Sequence, residues 1–314
     1  MGRSQRRGDQ VFKAITLSAG LFVFVLLAAI AVFLITKAAP ALQHDHTNFL
    51  TTKQFNAADP TSFGIAALAF GTLLTAALAL LMAVPVAFGV ALFITEYAPR
   101  RIATLLGYAS DLLAAVPSVI YGLWAAFFLL GHLIGLQHFL STYFGWIPLF
   151  SDPGGQALTY SKSVFGAAVI LAVMILPIVA AISREVFRQI DPAQKEAALA
   201  LGATRWEMIR TAVLPASRPG MVSAVMLGLG RALGETIAVA LVIGNVTSIN
   251  WHILIPGGST IAANIANQFG EASALGRSAL IASGLVLFAL TLVVNFIART
   301  VIARSGTRET SAAV

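Results

Sequence analysis

The chain has 314 residues, 58% of them hydrophobic and only 11% charged, with a net charge of +7 and no cysteine. Soluble proteins carry roughly 25% charged residues, so this composition excludes the soluble globular class and marks an integral membrane protein. The missing cysteine excludes disulfides and thiolate metal sites.

Apolar runs of about 20 residues can cross a hydrocarbon core of roughly 30 Å. They predict six spans, near Ala14 to Thr36, Phe70 to Ile94, Ala109 to Ile134, Val164 to Ile182, Met221 to Ile243 and Ser278 to Ile302. Six spans put both termini on one side. To that side fall Arg3, Arg6, Arg7 and Lys13, then Arg100 and Arg101, then Arg184, Arg188, Lys195, Arg205, Arg210 and Arg218, then Arg299, Arg304 and Arg308. Lys37, Lys53, Lys162 and Arg277 fall to the other, and Arg231 within a span. The positive-inside bias therefore predicts cytoplasmic termini. It also accounts for the net charge, which gives no reason to expect nucleic acid.

In chain order, the first apolar run exceeds the 7 to 15 residues of a cleaved signal peptide and is read as a retained helix. The loop after it contains QHDHTN, where His44, Asp45 and His46 have no further ligand cluster nearby and are read as a solvated loop rather than a metal pair. Pro85, Pro117 and Pro177 lie within spans; each removes a backbone donor and frees a carbonyl, so each is expected to kink its helix. The external stretches YFGWIPLF (Tyr143 to Phe150) and INWHILIPGGS (Ile249 to Ser259) place Trp146 and Trp251 as interface anchors. In PGGST (Pro256 to Thr260), Ser259 or Thr260 is positioned to cap a following helix. No Gly-Lys follows, which argues against a phosphate cradle there.

The longest internal polar segment, Arg184 to Pro219, reads as two short helices and a tight turn. Asp191 is the expected N-cap, with Pro192 at the first helical position, Gln194 placed for a return bond, and Gly202 as left-handed stop. Thr204 and Glu207 open the second helix as a capping box, and Pro215 ends it. Between the caps, Ala197 to Leu201 form a slim helix suited to another protein's groove. Packing on its own bundle is the alternative. A DNA-binding helix-turn-helix is disfavoured because both ends of the segment enter spans within a few residues, leaving little room for a duplex.

The fifth span carries LGLGRALGETIAVALVIGN (Leu227 to Asn245), with Arg231 and Glu235 inside it. At roughly 1.5 Å per residue Arg231 lies about halfway through the core. An isolated charge there costs about 2.5 to 3.5 kcal/mol, so it needs a partner or a wet cavity. Four residues apart on one helical face, the two are expected to be able to pair, although Arg before Glu is the weaker order in an isolated helix. That favours an aqueous pathway shared with a second subunit over a permanent ion pair that fixes packing. Gly230 and Gly234 add a small-xxx-small spacing suited to a partner helix.

EAALALG (Glu196 to Gly202), followed by Leu214 and Pro215, resembles the EAA loop of ABC-type importer permeases, departing from the pattern only in having Ala212 where Ile or Val is usual. ALFITEYAPRR (Ala91 to Arg101), VPSVIYGLW (Val116 to Trp124), GRALGETIAVALVIGN (Gly230 to Asn245) and STIAANIANQFGEA (Ser259 to Ala272) are similar to the phosphate-specific permeases of the Pst system, with Ile237, Ala238 and Val239 fitting the C-type pattern. The resemblance implies an all-α integral membrane protein of the type I ABC importer permease (MetI-like) fold. It implies residues 1–13 as a cytoplasmic tail, 14–62 as first helix and external loop, 63–302 as the permease domain with its coupling loop at 184–219, and 303–314 as a second cytoplasmic tail. It places the chain in a bacterial cell membrane as half of a phosphate pathway. Its implied partners are a PstA-type second permease, two PstB-type ATPases and a PstS-type external phosphate-binding protein.

Glu196, Ala197, Ala198, Gly202, Leu214 and Pro215 would then dock in the ATPase. Arg231 and Glu235 would line the substrate path, since the planar fork of Arg suits the acceptor oxygens of phosphate. No catalytic, cofactor-binding or metal-binding residue is implied. A Walker A loop needs a Gly-Lys pair, and none of the five lysines follows a glycine, so ATP and Mg would be used by the separate ATPase. The alternatives are the same architecture importing sulfate or molybdate, or a secondary transporter in which Glu235 carries a proton and the loop only packs.

Overall fold

The structure is a computed structural model that describes residues 2–44, 48–57, 63–155 and 162–310, with side chains within 8–300. Among the described residues, six helices are long and apolar enough to cross a membrane, over Gly8–His44, Ala66–Tyr97, Ser118–Phe144, Val164–Arg188, Arg205–Gly234 and Ala274–Thr300. The helices are α1 (Gly2–His44), α2 (Ala66–Leu92), α3 (Arg100–Ala115), α4 (Ser118–Trp124), α5 (Leu130–Phe144) and α6 (Val164–Arg188). They continue as α7 (Pro192–Ala200), α8 (Arg205–Met208), α9 (Leu214–Gly234), α10 (Ile237–Val242), α11 (Ile261–Gln268) and α12 (Ala274–Thr310). Single π-turns extend α2 over Phe93–Tyr97, join α4 to α5 over Ala125–Leu129, and join α8 to α9 over Ile209–Val213.

The central element is α6, packed between α2 and α9 and 67% buried over its most apolar window. Small residues make this packing possible. On α2, Ala76, Ala79, Ala83, Ala87 and Ala91 are all buried at spacings of three or four, so they form one stripe of minimal bulk. On α9, a Cβ at Gly220 would press on Val186 and one at Gly228 would come within 2.9 Å of Val179 Cγ2, with the buried Ala224 between them. Close backbone approach of this kind is the main source of helix association where lipid offers no hydrophobic contrast. The long α1 packs along α12, and its span window has no buried residues.

Two expectations about the spans need correction. The third span begins at Ser118, not Ala109, because Val116 and Pro117 are both extended. Proline disfavours helical backbone in the residue before it, so Pro117 breaks the helix and assigns Ala109 to Ala115 to α3. Pro85 and Pro177, by contrast, stay inside α2 and α6. The fifth span ends at Gly234, short of Ile243. The helices at both termini also run further than the hydropathy suggests, α1 back to Gly2 and α12 on to Thr310.

At the end of the bundle away from the Arg184 to Pro219 segment, Ser163 caps α6 by accepting from Gly166 N, and also accepts from Gln137 Nε2 at 2.8 Å. Of Ser259 and Thr260, it is Thr260 that caps α11, accepting from Ala263 N at 3.2 Å. Gly257 and Gly258 make the turn before it with φ of +132° and +78°, a region glycine enters freely. Trp146 and Trp251 are exposed, with Trp251 edge-on to Phe70 at 4.7 Å. His44 bonds to Pro40 O, while Asp45 and His46 lie outside the described residues, as do 311–314 of the expected second tail.

Candidate functional site

The two charges of the fifth apolar run, which a continuous helix would place on one face and within reach of each other, do not pair. After Gly234 the backbone of Glu235 turns extended (φ −67°, ψ 125°), α9 stops, and α10 starts two residues later. The Glu235 carboxylate swings to the start of α10, where Oε1 accepts from Ala238 N at 3.4 Å. A carboxylate is stabilised beside free N–H groups at a helix start, and that interaction replaces the one-turn spacing on which pairing with Arg231 depended. A break of this kind within a membrane is tolerated only where the freed backbone groups are buried in protein or line a water-filled cavity.

Arg231 makes no hydrogen bond or ion pair with the described residues, and its Nε is buried without a partner. It lines an open groove of about 1150 Å³ between α6, α9 and α12, in which Ser223, Leu227, Leu292, Phe296 and Arg299 are exposed. Gly230 lines the same groove, and a Cβ at Gly230 or Gly234 would meet nothing within 4 Å. The small-xxx-small pair thus faces open space, while packing within the chain uses Gly220, Ala224 and Gly228.

At the basic end, the polar segment folds largely as its caps dictate. Asp191 Oδ1 accepts from Ala193 N at 2.9 Å. Gln194 makes no return bond with its side chain. The α7 helix ends in a Schellman turn: Gly202 has φ +84°, its N–H bonds to Leu199 O, and Ala203 N bonds to Ala198 O. Thr204 and Glu207 form a complete capping box. Pro215 does not end the second helix. The π-turn over Ile209–Val213 widens the helix just ahead of the proline ring, and the chain continues as α9.

Of the residues matched to the EAA pattern, Glu196, Ala197 and Gly202 are exposed, while Ala198, Leu214 and Pro215 are half-buried. Ala198 and Leu214 pack on a small core of Ala91, Phe187, Met208, Ile209 and Val213. Nothing on α7 is fully buried, and Leu201 beside it is 89% exposed. The segment therefore stands on the bundle with Leu199, Leu201 and Trp206 exposed among polar residues on its outer surface.

Two ion pairs join this end together, and sequence reasoning assigned neither. Lys195 Nζ on α7 meets Glu96 Oε1 on the π-turn of α2 at 2.6 Å; the Glu96 side chain is only 6% exposed and that of Lys195 21%. Arg205 adds a bond to Glu96 O at 3.5 Å. Arg184 Nη2 on α6 holds both Asp111 oxygens on α3, at 2.9 and 3.1 Å. Asp111 thereby lies level with Arg184, at the basic end of the bundle. Gly107 gives the guanidinium its space, since a Cβ there would sit 2.7 Å from Arg184 Nη1. Glu96 was visible in the sequence as a lone carboxylate at a span end, but its partner lies 99 residues away.

A bundle centred on one buried helix, with a capped helix pair on its basic end, is the architecture of ABC importer permeases. The solved bacterial ABC transporter involved in the import of the acidic polysaccharide alginate matches at a TM-score of 0.59, with 19% identity, over 96% of this chain and 98% of that one. An inward-facing MetNI methionine ABC transporter structure matches at 0.55, with 17% identity, over 76% of this chain and 96% of that one. The chain belongs to the family of binding-protein-dependent transport system inner membrane components, whose sequence profile matches residues 86–306.

Among its relatives, the phosphate transport system permease protein PstC 2 of Mycobacterium tuberculosis is 46% identical over 302 residues, 95% of this chain and 93% of that protein. PstC of Mycobacterium leprae is 45% identical over 94% of this chain and 93% of its own length. PstC of Xylella fastidiosa is 40% identical over 98% and 95%.

Proposed function

We propose that this chain is one permease subunit of an ATP-driven importer of inorganic phosphate. The likeness to phosphate permeases along nearly its whole length carries this reading. It forms half of the transmembrane path beside a homologous PstA-type permease. Two PstB-type ATPases bind the α7 end, and a PstS-type protein delivers phosphate from outside. Both termini are cytoplasmic, in keeping with the basic residues at the α7 end.

Phosphate near neutral pH carries between one and two negative charges, and the Arg fork matches its oxygens. Arg231, unpaired and facing the groove, is the contact for the passing anion. Glu235 holds the helix break through its bond to Ala238 N at the start of α10, and its charge weakens anion binding enough for release. ATPase closure on ATP moves α7 and the joined α2 and α9, opening the path outward; hydrolysis resets it. ATP and Mg are bound by the ATPase, with this chain supplying no cofactor site.

The test is radiolabelled phosphate uptake by the reconstituted complex with ATP inside the vesicles, with sulfate and molybdate as competitors. ATP-dependent uptake that only phosphate competes for is expected. Preferential competition by sulfate or molybdate would reassign the substrate, and uptake driven by a proton gradient without ATPase would overturn the class. Arg231→Lys and Glu235→Gln, assayed alongside, should both be impaired; normal transport by both removes them from the path.

A further inference from the structure

The groove that exposes Arg231 contains a second cation. On α12, Leu292, Asn295 and Arg299 line it at spacings of three and four, which is one helical face. On α9, Ser223, Gly230 and Arg231 line it from the opposite wall. The chain traverses α9 away from the basic end and α12 back toward it, so the two walls run antiparallel. Leu292 therefore stands nearer the level of Arg231, and Arg299 nearer that of Ser223. Arg299 therefore lies further toward the basic end than Arg231.

Neither the Asn295 side chain nor the Arg299 guanidinium makes a hydrogen bond or ion pair with the described residues. An amide in a membrane helix normally pairs across to a neighbouring helix, and here it opens on the groove instead. Arg299 alone would be a snorkelling residue near a span end. With Asn295 one turn above it and Arg231 on the same groove, it completes a row of phosphate-oxygen donors leading inward.

We infer that Arg299 and Asn295 form a second binding station for a phosphate group, on the inner side of Arg231. This rests on the proposed phosphate path. An anion held by one arginine at mid-membrane must lose that contact before it reaches water, and a second cation offsets the loss. Conduction needs sites that bind well enough to be entered and weakly enough, or in sufficient number, to be left. The guanidinium takes two oxygens of the tetrahedral anion, and the Asn295 amide donates to a third. A lipid headgroup carries the same phosphate chemistry, so the experiment separates the two sources.

The complete complex, with its second permease, ATPases and external binding protein, is reconstituted in vesicles of neutral phosphatidylcholine alone and in vesicles with added phosphatidylglycerol. Arg299→Gln is expected to slow saturated phosphate uptake about tenfold in both, the effect of one lost charge-assisted contact, with Arg299→Lys recovering part of it. Asn295→Asp, nearly identical in shape but negative, is expected to slow uptake as well, with assembly checked by co-purification. Wild-type rates in both Arg299→Gln and Asn295→Asp overturn the station. A defect confined to vesicles with phosphatidylglycerol assigns the residues to a lipid headgroup and overturns it equally. If Arg231→Gln stops transport while these variants do not, only the second station fails; if Arg231→Gln also transports normally, the path itself fails.

Discussion

Arg231 is held at a disadvantage that function explains better than folding does. Its Nε is buried with no acceptor, and an intramembrane charge without a partner costs about 2.5 to 3.5 kcal/mol. Arg231→Ala should therefore leave the melting temperature of the purified complex unchanged or higher while phosphate uptake is lost. A fall in both together would mean that the guanidinium holds the fold. Glu235 is expected to separate into two roles. Gln keeps an oxygen that can accept from Ala238 N, so Glu235→Gln retains that bond and loses only the charge; Glu235→Ala loses both and should destabilise by about 0.3 to 1 kcal/mol, the worth of a carboxylate beside a helix start. Thermal unfolding of the two variants checks this, and equal stability would contradict the contribution of the Ala238 bond. That both charges fall in the fifth apolar run was legible in the sequence. Their separation was not, since hydrophobic pattern alone reads through Gly234 as continuous helix, although a glycine followed by Glu and Thr is a stop and a start in miniature.

At the scale of elements, the caps of the polar segment were legible because each is local: Asp191, Gly202, Thr204 and Glu207 act within four residues. The continuation through Pro215 was not, because the π-turn that admits it depends on Met208, Ile209 and Val213 packing against Phe187 and Ala91 from elsewhere in the chain. Glu96 and Lys195 are the more consequential long-range contact. They fasten α7, the proposed ATPase-docking helix, to the end of α2, so a push on α7 reaches a membrane helix directly. Breaking a fully buried pair costs about 3 to 5 kcal/mol; with Lys195 partly exposed, about 1 to 3 is the expectation for Glu96→Gln. The predicted phenotype is poor coupling, with ATP hydrolysis retained and phosphate moved per ATP reduced. The double swap Glu96→Lys with Lys195→Glu should restore part of the ratio. An unchanged ratio in Glu96→Gln would show that α7 moves the bundle through other contacts.

For the whole molecule, two kinds of glycine on α9 distinguish what the chain does alone from what it does in company. Gly228 is spent within the chain: a Cβ there comes within 2.9 Å of Val179 on the central helix α6. Gly234 faces open space in this subunit. Hydropathy made the six spans legible because each is a property of one continuous run, whereas the division of α9 into an inner-packed and an open face depends on where α6 lies and cannot be read from spacing. The same division predicts opposite outcomes for similar substitutions. Gly228→Leu should lower the yield and thermal stability of the permease itself, since α6 has no room to retreat. Gly234→Leu should leave the isolated subunit as stable as wild type but reduce co-purification of the second permease, if the open face is where its helix lies close. Full assembly in Gly234→Leu would move the subunit interface to another face of the bundle, and normal stability in Gly228→Leu would contradict the close packing of α9 on α6.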